Sequence, residues 1–292
     1  MNTFNAITVD KLELCFRGNV ALHEWMQGGR DITRDNFRLH LSVDSYSRVK
    51  YNVVYIGEDY TIADRNIGSL MIKLEKSYMN DNFRYFWFEF YNKALYSLDN
   101  QSDLGCIIQM FAAEMSLELN NITNFELAFD AEENLGSMLN MAYESDLMQP
   151  IVAGKAYKED EYIPNVTREC WGSKKKAMLI HWRIKSYSSN FQMYCYDKLQ
   201  EISAHDKDYI REYYHKDSFS SFWRLEIRAD KKAIIDFLNP RRCTWEDFLL
   251  NYLFNDTGKE ALMEYFSGRL LRFKFGRKGT YTSYSWLKGH LK

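Results

Sequence analysis

Proline is scarce in this 292-residue chain, at 3 residues, and glycine is modest at 14. Long linkers and disordered tracts are usually rich in such residues or in one sign of charge. A packed structure over most of the length is therefore expected. The five cysteines (Cys15, Cys106, Cys170, Cys195 and Cys243) are scattered and odd in number, with no Cys-x-x-Cys pair. That spacing excludes a disulfide framework and a zinc site of the paired-cysteine type. No run of about 18 apolar residues occurs, and Met1–Leu12 has no apolar signal core. The expectation is a soluble, cytoplasmic protein with no membrane partner. There is no Gly-x-x-x-x-Gly-Lys-Ser/Thr loop for an NTP-driven motor and no Gly-x-Ser-x-Gly elbow for a serine hydrolase.

What is present is apolar and aromatic. Hydrophobic residues make up 46% and aromatic residues 16%, enough for a substantial core in one large domain or two small ones. The net charge is only −2, but it is unevenly spread. Residues 1–150 hold 12 Lys and Arg against 22 Asp and Glu; residues 151–292 hold 26 against 18. A chain of this kind can present a basic surface on one side while remaining nearly neutral.

Alternation is the dominant pattern. Val9–Phe16, Phe37–Val43, Tyr51–Ile56 and Gly68–Lys76 read as strands, with a short helix at Asn19–Gln27 capped by Asn19. Phe83–Tyr91 is aromatic on both faces. It suits a central strand covered on both sides, or one that keeps a base-stacking face. Helical spacing follows at Asp103–Leu119 and Glu132–Leu147. Met178–Lys185 and Gln192–Tyr196 read as a hairpin, with a further helix at Asp206–His215 and a strand at Phe222–Arg228. Beyond Asp230 the segments Lys231–Leu238, Trp245–Phe254 and Lys259–Phe266 read as helices. Strands joined by short turns predict an α+β fold: a large, mainly antiparallel sheet with helices packed on one face and a helical C-terminal portion.

Three strands carry charge on one side. In Ile122–Asp130, Phe125, Leu127 and Phe129 face one way, and Glu126, Ala128 and Asp130 the other. In Phe222–Arg228, Trp223, Leu225 and Ile227 oppose Arg224, Glu226 and Arg228. In Phe191–Glu201, Tyr194 and Tyr196 share a face, and Tyr196 stands at the strand end beside Asp197, Lys198 and Glu201. On this pattern Tyr196 is either core filler or a nucleophile. Glu126, Asp130 and Glu226 are either a solvated sheet face or oxygen ligands for Mg²⁺ or Mn²⁺. Glu126 and Asp130 lie about 13 Å apart on a regular strand, too far to grip one ion together unless the strand bulges. Lys174-Lys175-Lys176 is either a solvated loop or a phosphate contact. Leu270–Lys292 interleaves Arg272, Arg277 and Lys278 with aromatic residues, as nucleic-acid surfaces do.

Tyr196-Asp197-Lys198-Leu199-Gln200-Glu201 resembles the Tyr-Asn/Asp-Lys-x-x-Glu signature of Rep_trans-type rolling-circle replication initiators and related relaxases. Val9–Leu14 is similar to that family's opening strand, Glu126–Asp130 to its Asp-x-Ala-x-Asp strand, and Trp223–Arg228 to its Arg-x-Glu strand. The four stretches occur in family order over roughly residues 9 to 230. Two positions depart from the pattern: Asn124 stands where an Arg is frequent, and Glu126 replaces the first Asp. Many nicking enzymes use a His-hydrophobic-His strand; here no two of the six histidines are two residues apart.

The resemblance implies a metal-dependent tyrosine DNA nickase and strand transferase. It would start rolling-circle replication at a plasmid-type origin through a 5′-phosphotyrosine on Tyr196, assisted by Lys198. Glu126, Asp130 and Glu226 would hold Mg²⁺ or Mn²⁺, and Arg224 and Arg228 would pair with Glu226 or with DNA. Residues 1–230 would form the catalytic domain and 231–292 a helical, basic subdomain. An origin hairpin, single-stranded at the nick, a host helicase and polymerase, and a second copy of the chain would be the partners. A conjugative relaxase with the same chemistry and a non-catalytic DNA-binding module are the alternatives. The charge asymmetry predicts that DNA phosphates are met mainly by residues 151–292. Charge reversal at Lys174–Lys176, or at Arg272, Arg277 and Lys278, should weaken binding at every sequence and flatten its salt dependence. An unchanged salt slope with both clusters reversed would place that surface elsewhere.

Overall fold

The computed structural model describes residues 5–62, 65–78, 80, 82–97, 101–156, 166–171, 179–186, 188–205, 207–276 and 279–291, with backbone alone at 76, 168–171, 179–181 and 204–205. Fifteen strands are found among them: β1 (Ile7–Gly18), β2 (Ile32–Thr33), β3 (Phe37–Asp44), β4 (Arg48–Tyr55), β5 (Asn66–Lys73), β6 (Arg84–Phe90), β7 (Leu117–Ala131), β8 (Met148–Val152), β9 (Lys155–Ala156), β10 (Val166–Trp171), β11 (Leu179–Lys185), β12 (Phe191–Asp197), β13 (Trp223–Asp230), β14 (Leu271–Phe275) and β15 (Gly279–Thr282). Eleven build one sheet in the order β10-β11-β12-β13-β7-β1-β6-β5-β4-β3-β2, and β15-β14-β8-β9 form a second. The flanking pairs of the large sheet run antiparallel. The fold is α+β, with helices packed on the sheet. Among the described residues no helix is long and apolar enough to cross a membrane.

The chain divides into two compact units. An N-terminal unit comprises Val9–Phe125 and Ile234–Asn255. A C-terminal unit comprises Met1–Thr8, Glu126–Ala233 and Asp256–Lys292.

In the N-terminal unit the strand alternation puts Leu14, Phe16, Leu70, Ile72, Phe86 and Phe88 on one buried side. Helix Ser102–Glu114 covers that side with Ile107, Ile108 and Phe111. The Phe111 ring meets Phe37 at 5.1 Å and Phe88 at 5.2 Å between centroids, spacings that favour edge-on aromatic contact. Asn19 caps helix Val20–Gln27, accepting the Leu22 N–H at 2.7 Å. The buried Gln101 amide completes the ladder beside β1. It accepts from Val9 N–H at 2.9 Å and donates to the Val9 and Leu95 carbonyls at 3.2 and 3.0 Å. The aromatic strand β6 is covered on one side only: Phe86, Phe88 and Phe90 are buried, while Tyr85 and Trp87 keep part of their surface in solvent.

In the C-terminal unit, Met193, Cys195, Leu225 and Ile227 form the apolar side of β12 and β13. Helix Leu135–Tyr143 meets this part of the sheet, with Asn140 accepting the Trp182 indole N–H at 2.9 Å. Phe191 packs on Phe266 of helix Asp256–Leu270 at 5.4 Å, and Phe129 on Tyr284 of helix Ser283–His290 at 5.2 Å. The segment after Leu270, expected as part of a helical, basic subdomain, opens with hairpin β14–β15 and closes with that last helix. The helical segment Trp245–Phe254 holds a helix only to Phe248 and continues as a π-turn over Leu249–Leu253.

Gly68 on β5 is the tightest point of the N-terminal sheet. A Cβ there would stand 2.4 Å from the Glu89 carbonyl oxygen and 3.0 Å from two carbons of the Phe88 ring. The obstructing atoms are backbone and core, so they cannot yield cheaply. Gly68→Ala should destabilise by roughly 1–3 kcal/mol, read as a lower urea midpoint. Gly289→Ala, with open space around it, should leave the midpoint unchanged or slightly raised. A wild-type midpoint for Gly68→Ala would contradict this packing.

Candidate active site

The pairing of β12 with β13 sets the site. Tyr194 stands opposite Glu226 and Tyr196 opposite Arg224, so all four side chains share one face. Tyr196 is 2% exposed. Its hydroxyl donates to Glu226 Oε2 at 2.8 Å, and the Lys198 ammonium reaches the phenolic oxygen at 3.5 Å. Asp197 ends the strand and starts the helix Lys198–His205 by accepting the Leu199 N–H at 2.9 Å. That turn carries Lys198 back over the phenol.

Lys198 is itself buried, and Glu201 makes this tolerable. Glu201 Oε2 accepts from Lys198 at 2.7 Å, while Oε1 pairs with Lys207. Burial works against the charge on Glu201. The ammonium groups of Lys198 and Lys207 outweigh it and hold the carboxyl at about 2. A cation beside a phenol favours the phenolate, the form that attacks.

Further along β13 lies Arg228, its guanidinium 5.5 Å from the centroid of the Tyr194 ring. Its Nε pairs with Glu126 Oε1 at 2.6 Å and its Nη2 with Glu226 Oε1 at 3.4 Å. Burial disfavours the guanidinium charge, but Glu126 and Glu226 raise its pKa beyond the usual value. Burial raises the phenol pKa of Tyr194, only partly offset by Arg183 and Arg228.

Asp130 and Arg224 are engaged with each other. The guanidinium grips both carboxylate oxygens at 2.6 and 2.7 Å, both side chains are fully buried, and Tyr214 donates to Asp130 Oδ2 at 2.8 Å. A structural ion pair thus occupies two residues that the sequence offered as metal ligand and DNA contact. Arg272 stands on β14, opposite Thr282. Lys174, Lys175, Lys176, Arg277 and Lys278 lie outside the described residues.

Carboxylate oxygens of Glu126 and Glu226 lie within 4.8 Å of one another, and both residues are buried. They stand on β7 and β13, neighbours in the large sheet. Asp10 on β1 is also buried and accepts a hydrogen bond from the Tyr96 hydroxyl. Buried carboxylates are a hard, all-oxygen donor set, which fits Mg²⁺ or Mn²⁺ and does not select a soft metal.

No family model matches the chain, and no curated protein does. Among solved structures it is similar to a rolling circle replication initiator protein from Geobacillus stearothermophilus, at 12% identity and a TM-score of 0.43, over 97% of this chain and 94% of that one. A likeness at that level decides neither family nor chemistry.

The Glu201 arrangement has a pH signature. Its carboxyl titrates near 4.5 when unperturbed and about 2 here. A depressed folded-state pKa gives stability that is fully present above about pH 4.5 and lost as pH falls towards 2. Glu201→Gln should cost on the order of 3 kcal/mol at neutral pH, and the gap to wild type should close across that acid window. Chemical denaturation from neutral to acid pH measures it; a gap independent of pH would remove the ion pairs from the account.

Proposed function

We propose that this chain is a tyrosine-type DNA nickase and strand transferase that initiates rolling-circle replication. The observation that carries the reading is the Tyr196 phenol, donating to Glu226 and approached by Lys198 within a group of buried carboxylates. Core tyrosines seldom need both an acid and a cation at the hydroxyl. A nucleophilic phenol needs both, because its ordinary pKa lies near ~10.

In this reading the Tyr196 oxygen attacks the scissile phosphorus as its proton passes to Glu226. The bond from phosphorus to the upstream 3′ oxygen breaks, and that oxygen leaves as a 3′-OH after taking up a proton. The downstream 5′ phosphate stays on Tyr196. Attack by a 3′-OH on the phosphotyrosine reverses the step and rejoins a strand. Lys198 offsets the negative charge on the phenolic oxygen, and Glu201 keeps Lys198 charged and in place. Glu126 and Glu226 are the residues that would hold Mg²⁺ or Mn²⁺; such an ion, when bound, neutralises phosphate charge as bonds rearrange. Arg228 links two of these carboxylates and limits their mutual repulsion. The free 3′-OH is the primer a host polymerase extends, with a helicase to open the duplex. Because Tyr196 is buried, catalysis includes a step in which its surroundings open to the strand.

The test uses 3′-labelled single-stranded hairpin oligonucleotides incubated with the protein and Mn²⁺. Label should travel with the denatured protein and map to the peptide holding Tyr196. Tyr196→Phe should abolish the adduct while keeping fold and DNA affinity; Tyr194→Phe should keep the adduct. Alanine at Glu226 or Glu126 should slow nicking on the order of 100-fold or more with little loss of binding. An adduct on Tyr194, or one persisting in Tyr196→Phe, would refute the assignment. Full nicking in excess chelator would remove the metal. Binding without an adduct on any oligonucleotide would favour a non-catalytic DNA-binding module.

A further inference from the structure

The N-terminal unit carries a second feature that the nicking reading does not use. Along β6, Phe86, Phe88 and Phe90 point into the core, so Tyr85, Trp87 and Glu89 point out. Register fixes their neighbours on that open side. Cys15 and Met71 flank Trp87, Arg17 stands opposite Tyr85, and Arg48 opposite Lys73. Rings and cations are interleaved. The Lys73 ammonium lies 4.6 Å from the Trp87 centroid and 4.4 Å from that of Tyr78, and Arg17 lies 5.0 Å from that of Phe83. Trp87 meets Tyr78 edge-on at 5.2 Å and Tyr85 at 6.2 Å. A depression of about 240 Å³ opens here, with Lys50, Met71, Lys73 and Trp87 among its lining residues.

We propose that this face of β1, β4, β5 and β6 binds single-stranded DNA. Bases would stack on Trp87 and Tyr85, while Arg17, Arg48, Lys50 and Lys73 meet the phosphates. The charge complementarity is direct. The face bears those four cations and Lys11 against Glu13 and Glu89; Lys11 pairs with Glu13 at 2.7 Å and Lys50 with Glu89 at a loose 3.8 Å. Rings lying among cations suit a strand whose bases and phosphates alternate. A duplex keeps its base faces stacked and inaccessible. An acidic peptide would use the cations and leave the rings idle. A lipid surface calls for protruding aliphatic side chains, whereas this face is aromatic and charged. The unit that bears it does not contain Tyr196, so the surface stands whether or not the tyrosine cuts.

The experiment measures binding of the full chain to a fluorescent oligothymidylate of about 16 nucleotides by anisotropy over a salt series, with tryptophan quenching as a second signal. Trp87→Leu should weaken binding roughly tenfold, and Lys73→Gln should weaken it and lower the salt slope by about 0.7. Duplex of the same length should bind less tightly. On the unaltered protein, 5-iodouracil placed in the oligonucleotide should crosslink to Tyr85 or Trp87, which decides the matter even if Trp87→Leu folds poorly. Wild-type binding by both variants would overturn the proposal. So would crosslinks confined to other segments, or polyglutamate of matched charge competing as well as the oligonucleotide. Because none of these readouts involves cutting, their failure is distinguishable from failure to form an adduct on Tyr196.

Discussion

A fully buried salt bridge between Asp130 and Arg224 holds the candidate active site in register. The pair spans β7 and β13, with the carboxylate held by both arms of the guanidinium and by Tyr214. Two buried charges repay their desolvation only with such complete partnering, and removing one member typically costs about 3–5 kcal/mol. Strand alternation carries the order outward. Glu226 lies two residues from Arg224 and Glu126 four from Asp130, so both project on the face that the bridge fixes. Tyr196 stands opposite Arg224 and meets Glu226. A slip of one residue in β12 against β13 would send Tyr196 to the other side, away from Glu226.

Around that anchor the charges are arranged so that each is supported by another. Glu201 answers Lys198 and Lys207, and Arg228 answers Glu126 and Glu226. The cation nearest the phenol is thereby kept in a buried position where an isolated ammonium would lose its proton. Glu126 and Glu226 share the Arg228 guanidinium, and such oxygen donors suit a divalent ion.

Much of the large sheet was legible because its strands have one buried side. Alternation gave β1, β3, β5, β7, β12 and β13 to within a few residues, and Asn19 announced its helix by capping chemistry. The aromatic run of β6 was ambiguous because composition alone does not say which side is covered; burial separates Phe86 and Phe88 from Tyr85 and Trp87. Helix Ser102–Glu114 ends earlier than its periodicity suggests, since Ser116 takes a left-handed φ of 53° and the chain turns into β7 at Leu117. The four-stranded sheet was invisible because its strands are short and its central pair, β8 with β14, joins segments far apart in sequence. In the site, Tyr196, Lys198, Glu126 and Glu226 were legible as a shared polar face. Which arginine would take each of Glu126 and Asp130 was not, because Arg228 and Arg224 stand on another strand.

The division of the chain has a consequence for its synthesis. Residues Ile234–Asn255 complete the N-terminal unit, and Asp256–Lys292 return to the unit that begins with Met1–Thr8. Neither unit is complete before the final fifth of this sequence has been translated. At roughly 5–20 residues per second, the stretch from Gly18 to Asn255 takes about 12–47 seconds to make, and β1 waits that long for the last segment of its unit. Such strands are aggregation-prone. Ribosome-bound chaperones would therefore matter more to this protein than to one whose domains follow one another along the message.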